Sequence, residues 1–366
     1  MNNYNTGLIF KWLKSENASS TETKKLAKKT REAFNMTARE YRKLLSYGRE
    51  KTKVLERLMS ANEWDKIDFS KIPSKAGILY RNAFARRDIL AKKYEAFAKN
   101  KDTKVNADAL YPHDIAHRAF AMRYNTSLED PTRLMLQKYW DNLKDFYNGR
   151  EENGIAVVDV SGSMSGTPME AAVSMGAYIA DKAHGPFANH FITFSAHPEL
   201  VRFEGVDIVD KLNRCTRADW GMNTNVQAVF DMLLDTAMKQ NVKAEDMPDK
   251  LFIFSDMEFD ECVTFDTPKT THRNTRWDSG RTVRDENEVN SDLELIAKQW
   301  AAAGYKLPHV IFWNLDARQN NIPAMGGRFS YVSGFSPVMI QTILGGKDGY
   351  DLMLEKLNSE RYAAIR

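Results

Sequence analysis

From about residue 150 onward the chain alternates short, mostly apolar runs with segments of helical periodicity, and that alternation narrows the fold more than any other feature. The runs are Ile155 to Val160, His190 to Phe194, Leu251 to Phe254, Val310 to Leu315 and Phe329 to Val332. A strand that is apolar at nearly every position must be covered on both faces, which is the condition of a parallel sheet with helices on each side. Helices are predicted between and after the runs, at about 168–184, 225–240, 291–303 and 348–362. From Glu258 to Asn290 the chain is polar and charged, and Trp277 there hints at docking on an apolar surface. A loop of that length inside a domain is functional or disordered.

Before residue 150 the periodicity is helical throughout. Leu26, Ala33, Phe34, Tyr41, Leu44, Leu45, Val54, Leu55 and Leu58 recur at three- and four-residue intervals among charged residues, which predicts helix over 22–60 with Gly48 as the expected division. Pro73 ends whatever precedes it, and Ser74 is the expected N-cap of the next helix. The spacing resumes through Ile78, Leu79, Phe84, Ile89, Leu90, Tyr94 and Phe97, and further helices are expected at about 112–124 and 130–148. The fold class is therefore α/β, a doubly wound and mostly parallel sheet, preceded by an all-α domain. The expected division is 1–150, helical in antiparallel pairs of a HEAT-like kind although without a fixed period, and 151–366, the α/β domain with its insertion.

Charge divides the chain at the same place. Residues 1–150 hold 31 Lys and Arg against 18 Asp and Glu, whereas 151–366 hold 21 against 31, so a net charge of +3 conceals a basic half and an acidic one. A basic half suits phosphate-rich partners such as RNA, and it equally suits a solvated helical surface. The best local clusters are Arg86-Arg87 and Lys92-Lys93, with Lys24-Lys25 and Lys28-Lys29 before them. Only two cysteines occur, Cys215 and Cys262, without ligand spacing, which excludes a disulfide framework and a cysteine-based zinc site. No apolar run nears the ~20 residues that span a bilayer, and the first residues lack the pattern of a secretory signal. A cytoplasmic location without membrane contact is the expectation.

The candidate site follows the first apolar run. Asp159 stands at the carboxyl end of that strand, where open α/β sheets place their ligands, and Ser161 and Ser163 alternate with it along the exiting loop. Gly162 is expected to let the loop turn tightly. A second acid, Asp256, ends the run Leu251-Phe-Ile-Phe-Ser, and Thr224 offers a further hydroxyl in Trp220-Gly-Met-Asn-Thr-Asn225. Such an all-oxygen set is hard, and Mg²⁺ or Mn²⁺ is the cation it suits.

Together these five residues resemble the metal-ion-dependent adhesion site of von Willebrand factor A domains, with Asp159, Ser161 and Ser163 as its DxSxS stretch, Thr224 as its threonine and Asp256 as its second aspartate. The resemblance implies that the serines contact the metal directly, that the aspartates act directly or through water, and that one coordination position is left for an acidic residue of a protein partner. Over nearly the whole chain, the stretches Ile67-Asp-Phe-Ser-Lys-Ile-Pro-Ser, Ala109-Leu-Tyr-Pro-His113, Phe254-Ser-Asp-Met257, Phe312-Trp-Asn-Leu315 and Val332-Ser-Gly-Phe-Ser336 are similar to a family from fungi, plants and large viruses that joins a helical region to such a domain. That architecture is similar to the Ro (TROVE) RNA-binding proteins. It implies RNA as a partner of the helical region, although about 150 residues are too few for the closed helical ring of Ro.

Competing chemistries leave weaker traces. His113 and His117 stand four apart on an expected helix, as zinc-binding histidines can, but Asp114 replaces the usual glutamate base and no third ligand is near. Asp159 could be the nucleophile of a Mg²⁺-dependent phosphohydrolase, yet Ser161 stands where such enzymes carry a second acid. The Walker GxxxxGK[ST] pattern is absent, which removes a P-loop. A non-enzymatic binding protein is the primary expectation, with a hydrolase, or a structural component of a viral particle or ribonucleoprotein, as its rivals.

Overall fold

The structure is a computed structural model. It describes residues 9–10, 12–51, 55–107, 109–122, 126–147, 149–150, 153–195, 197–216, 226–256, 295–316, 324–326, 329–334, 337–345, 350, 353–354 and 357–358. The chain forms two compact units, residues 1–106 and 107–366.

The first unit is helical: α1 (Thr21–Ala33), α2 (Ala38–Lys51), α3 (Leu55–Ser60), α4 (Ser74–Ala85) and α5 (Asp88–Lys99). The expected break at Gly48 lies elsewhere. Helix α2 runs straight through Gly48, and the space its missing side chain leaves is filled by the Phe10 ring, within 2.3 Å of where a Cβ would sit. The division comes at Asn35, whose positive φ of 52° stops α1. A capping box then starts α2: Glu40 Oε2 accepts from the Thr37 amide at 2.8 Å, and Thr37 Oγ1 accepts from the Glu40 amide at 3.3 Å. Pro73, rather than Ser74, takes the cap position of α4, and the Ser74 hydroxyl is buried in the first turn without a hydrogen-bond partner among the described residues. Two clusters hold this unit. Phe69 meets Phe84 and Tyr94 edge-on with ring centroids 5.4 and 5.2 Å apart, and Ala27, Tyr41 and Leu45 pack with Phe10, Leu13 and Met36. Leu79 and Ile89, which share the helical spacing, point outward, 60% and 79% exposed.

The second unit opens with two helices, α6 (Pro112–Phe120) and α7 (Pro131–Asp141), and continues as β1 (Gly154–Val158), α8 (Thr167–Lys182), β2 (His190–Thr193), β3 (Leu200–Arg202), α9 (Ile208–Cys215), α10 (Val226–Lys239), β4 (Lys250–Ser255), β5 (His309–Asn314), β6 (Ala324–Gly326), β7 (Phe329–Ser333) and α11 (Pro337–Gly345). Residues 295–302 are also helical. The seven strands lie in the order β3-β2-β1-β4-β5-β7-β6. The five predicted runs form the parallel centre, and β3 and β6 pair antiparallel at its two edges. The three-residue edge strands carry too little periodicity to register, whereas α9, with Ile208, Val209, Leu212 and Cys215 buried at helical spacing, is a helix that the sequence reading omits. The expected helix at 348–362 and the 258–290 insertion lie largely or wholly outside the described residues.

One sheet face, bearing Ile155, Val157, Leu251, Ile253, Val310 and Phe312, packs with Val229, Phe230 and Leu233 of α10 and with Ile296 and Trp300. Helix α8 covers the opposite face. An added Cβ on Gly176 would lie 2.5 Å from Val158 Cγ2, so glycine lets α8 settle directly on β1. Every residue from Ala171 to Ala180 is buried. A helix apolar all round needs cover on its outer side as well, and α6 and α7 supply it. The Trp140 indole donates to Asp181 at 3.1 Å, and the Tyr178 hydroxyl accepts from the Phe146 amide at 2.9 Å.

Helix α7 is also bolted to α9. Arg133 Nη2 donates to Asp207 Oδ1 at 2.9 Å, its Nε donates to Oδ2 of the same carboxylate, and both side chains are almost wholly buried. Asp207 in turn caps α9, accepting from the Asp210 amide at 2.9 Å. Removing one member of a buried, bidentate pair strands the other charge. Arg133→Ala is accordingly expected to lower the unfolding free energy by about 3 kcal/mol or more, read as a fall in the urea midpoint; an unchanged midpoint would show that the pair carries no weight.

Candidate metal centre

Strands β1 and β4 are neighbours although α8, β2, β3, α9 and α10 intervene in the chain. From β1 the chain winds first towards β2 and then returns to β4 on the other side, so the crevice at the carboxyl ends of β1 and β4 is the topological switch point of the sheet. The parallel register pairs Val158 with Phe254, and the Asp159 amide continues the ladder by donating to the Phe254 carbonyl at 3.0 Å. Asp159 and Asp256 therefore leave the sheet side by side.

Asp159 is 1% exposed, and each of its oxygens accepts a hydrogen bond: Oδ1 from the Ser161 amide at 2.8 Å and Oδ2 from the Ser255 hydroxyl at 2.7 Å. Ser161 and Ser163 follow on the more open side of the loop with their Oγ atoms 3.0 Å apart. Met164, fully buried, pins the short 3₁₀ turn Gly162–Met164 beneath them. Gly162 is not the conformational hinge: a Cβ there would meet nothing, and the left-handed residue is Gly166, with φ 89°, just before α8. Asp159, Ser161 and Ser163 stand together here with the Asp256 charge nearby, and Thr224 lies outside the described residues. Ser255 is the member the sequence did not disclose. Its signal is a lone hydroxyl at the fully buried end of an otherwise apolar strand, directly before Asp256.

Burial holds the Asp159 carboxyl above the usual carboxylate range; its hydrogen bonds to Ser161 and Ser255 oppose the shift, and the nearby Asp256 charge adds to it. Since the folded value lies above the unfolded one, this group's contribution favours the folded state at acid pH and is lost as pH rises through the folded value. A divalent cation fits that situation: it would relieve two adjacent acids at a site that also offers two hydroxyls. Among the described residues no three His, Cys, Asp or Glu side chains gather as metal ligands; Asp159, Ser161 and Ser163 offer oxygen atoms alone, the donor type that hard cations such as Mg²⁺ and Mn²⁺ prefer.

The histidine pair is engaged otherwise. His113 stacks on Tyr111 at 5.7 Å, while Nδ1 of His117 lies 2.7 Å from Glu170 Oε1 in the first turn of α8. Cys215 is buried, its thiol pushed up to about 12, which makes it inert as a nucleophile. Arg86, Arg87, Lys92 and Lys93, the foremost basic candidates of the helical unit, are all exposed. Lys93 nonetheless donates to the carbonyls of Ile67 and Asp65 at 2.6 and 3.3 Å, and the Arg87 guanidinium lies 3.8 Å over the Trp64 ring. Arg86 and Lys92 are left to solvent. Among the aromatic residues of the helical unit, Tyr41 and Tyr94 are buried, whereas Trp12 and Tyr47 are exposed.

If Asp256 contributes its charge to the site, Asp256→Asn in metal-free protein should lower the Asp159 titration slightly, with most of the elevation retained because burial is its main cause. Carboxyl ¹³C NMR would read this, and an upward move would contradict the proximity of the two acids.

Comparison with known proteins adds the family. Residues 153–363 match the model described as a domain of unknown function (DUF7788), and residues 8–150 match another, DUF2828. An uncharacterized protein of Acanthamoeba polyphaga mimivirus is 32% identical over 373 aligned residues, which cover 94% of this chain and 60% of that protein. The chain thus spans about 60% of the length of this curated relative. The crystal structure of the Ro (RSR) protein of Deinococcus radiodurans aligns at 14% identity over 95% of this chain and 75% of that one, with a TM-score of 0.40. By the match that takes in all of its described sheet and the Asp159 loop, the chain belongs to the DUF7788 domain family.

Proposed function

We propose that this chain is a metal-dependent binding protein, in which Mg²⁺ or Mn²⁺ at the Asp159 loop takes an acidic residue of a protein partner as its last ligand. The observation that carries the reading is the meeting of Asp159 and Asp256 at the switch point of the sheet beside the paired hydroxyls of Ser161 and Ser163. These four match the pattern of the von Willebrand factor A adhesion site, and Thr224 would complete it. When bound, the cation supplies a Lewis-acidic centre that attracts a carboxylate.

The residues divide the work. Ser161 and Ser163 present neutral oxygens, which leave the cation short of negative charge. Asp159, with both oxygens already accepting hydrogen bonds from Ser161 and Ser255, is a fixed counter-charge rather than a mobile base. The same restraint speaks against the phosphohydrolase reading, because a nucleophile needs an exposed oxygen aimed at substrate, and Asp159 is buried. Arg87 and Lys93 engage the Trp64 ring and the carbonyls of Ile67 and Asp65 while Arg86 and Lys92 remain exposed, so these four residues add little to an RNA-binding reading of the helical unit.

The test is a thermal melt with and without Mg²⁺ or Mn²⁺, paired with binding of an acidic peptide ligand in the presence and absence of chelator. The wild type should gain stability with the metal, as any ligand specific to the folded state confers, and Asp159→Ala should abolish both the gain and the chelator-sensitive binding. Metal-dependent binding that survives Asp159→Ala would overturn the mechanism, and turnover of a phosphoester that depends on Asp159 would replace it with the hydrolase.

A further inference from the structure

The helical unit contains a cavity of about 690 Å³ between α2, α3 and the segment before α1. Its wall carries three guanidiniums, Arg42 and Arg49 from α2 and Arg57 from α3, together with the hydroxyls of Ser15 and Ser46, against one carboxylate, Glu56. The spacing explains the convergence: residues 42, 46 and 49 fall on one flank of α2, beside the buried face of Tyr41, Leu45 and Gly48.

The charges are unequally spent. Arg57 has carboxylates in reach, Glu63 at 3.4 Å and Glu50 at 3.9 Å. Arg49 ties down the N-terminal segment by donating to the carbonyls of Phe10 and Leu13 at 3.1 and 2.9 Å, which leaves its positive charge uncompensated. Arg42 is exposed, and its Nε donates to the Ala38 carbonyl at 3.2 Å. Among the described residues neither Arg42 nor Arg49 has an acidic partner.

We infer that this cavity binds a compact anion carrying more than one phosphoryl group. Planar guanidinium forks match phosphoryl oxygens, a single carboxylate would engage only one of them, and the volume is that of a small-molecule site rather than of a flat polymer track. The site lies wholly within the helical unit and is independent of the metal loop.

Inorganic tripolyphosphate is the probe, titrated calorimetrically into the full chain in the presence of EDTA, so that chelated metal plays no part. One molecule should bind per chain. Arg42→Glu should weaken binding about tenfold or more, while Lys43→Glu, an equal charge change at an exposed neighbour outside the cavity, should stay within about twofold. Melting temperatures of both variants establish that they fold, and Asp159→Ala should bind tripolyphosphate like the wild type. Equal losses in the two variants would reduce the effect to general charge attraction and overturn the site. Absence of binding would do the same, as would tight, Arg42-dependent binding of a single-stranded RNA oligonucleotide that tripolyphosphate cannot displace.

Discussion

The parallel pairing of β1 with β4 is the constraint on which the site depends. Five register pairs, from Gly154 with Lys250 to Val158 with Phe254, lock two strands that are almost a hundred residues apart in the chain. Wherever that ladder ends, the next residues of both strands must emerge together. Here those residues are Asp159 and, one step beyond Ser255, Asp256. Placing two acids next to each other at the edge of an apolar core costs free energy, and the fold bears that cost because the core beneath the ladder is continuous. Ser255 eases it by donating a hydroxyl hydrogen to Asp159.

The loop after β1 owes its geometry to what lies behind it. Helix α8 sits close on β1 through Gly176, and its all-apolar middle requires α6 and α7 as an outer cover. Trp140, Phe146 and Arg133 fasten that cover through Asp181, Tyr178 and Asp207. The two helices before the sheet thus belong mechanically to the α/β unit, and the His117–Glu170 contact brings α6 to the first turn of α8, next to the Asp159 loop.

Much of this was legible in the residues themselves. Five apolar runs announced five parallel strands, since burial on both faces leaves no other pattern, and the strand-end position of Asp159 pointed to the crevice. The helix break was misread at Gly48 because a glycine reads as a breaker whether its conformation or its missing side chain is what matters; there the Phe10 ring needs the space, and the break belongs to Asn35. Gly162 was misread for the converse reason, as Gly166 supplies the left-handed turn. Ser255 escaped notice because its role exists only across the ladder. Lys93 shows the same limit: as part of a basic pair it looks available, and only tertiary structure reveals the carbonyls of Ile67 and Asp65 beneath it.

The proposed function rests on one arrangement, a cation held where the hydroxyls of Ser161 and Ser163 stand beside the strand-end acid Asp159. The most direct measurement is a crystal structure grown with Mn²⁺ and recorded at a wavelength where manganese scatters anomalously. The account predicts one strong anomalous peak, bonded to both serine hydroxyls at roughly 2.2 Å, close to the oxygen distances of small divalent cations, with Asp159 and Asp256 within reach directly or through water. A map without a peak at that crevice, or with the manganese held elsewhere by other side chains, would contradict it.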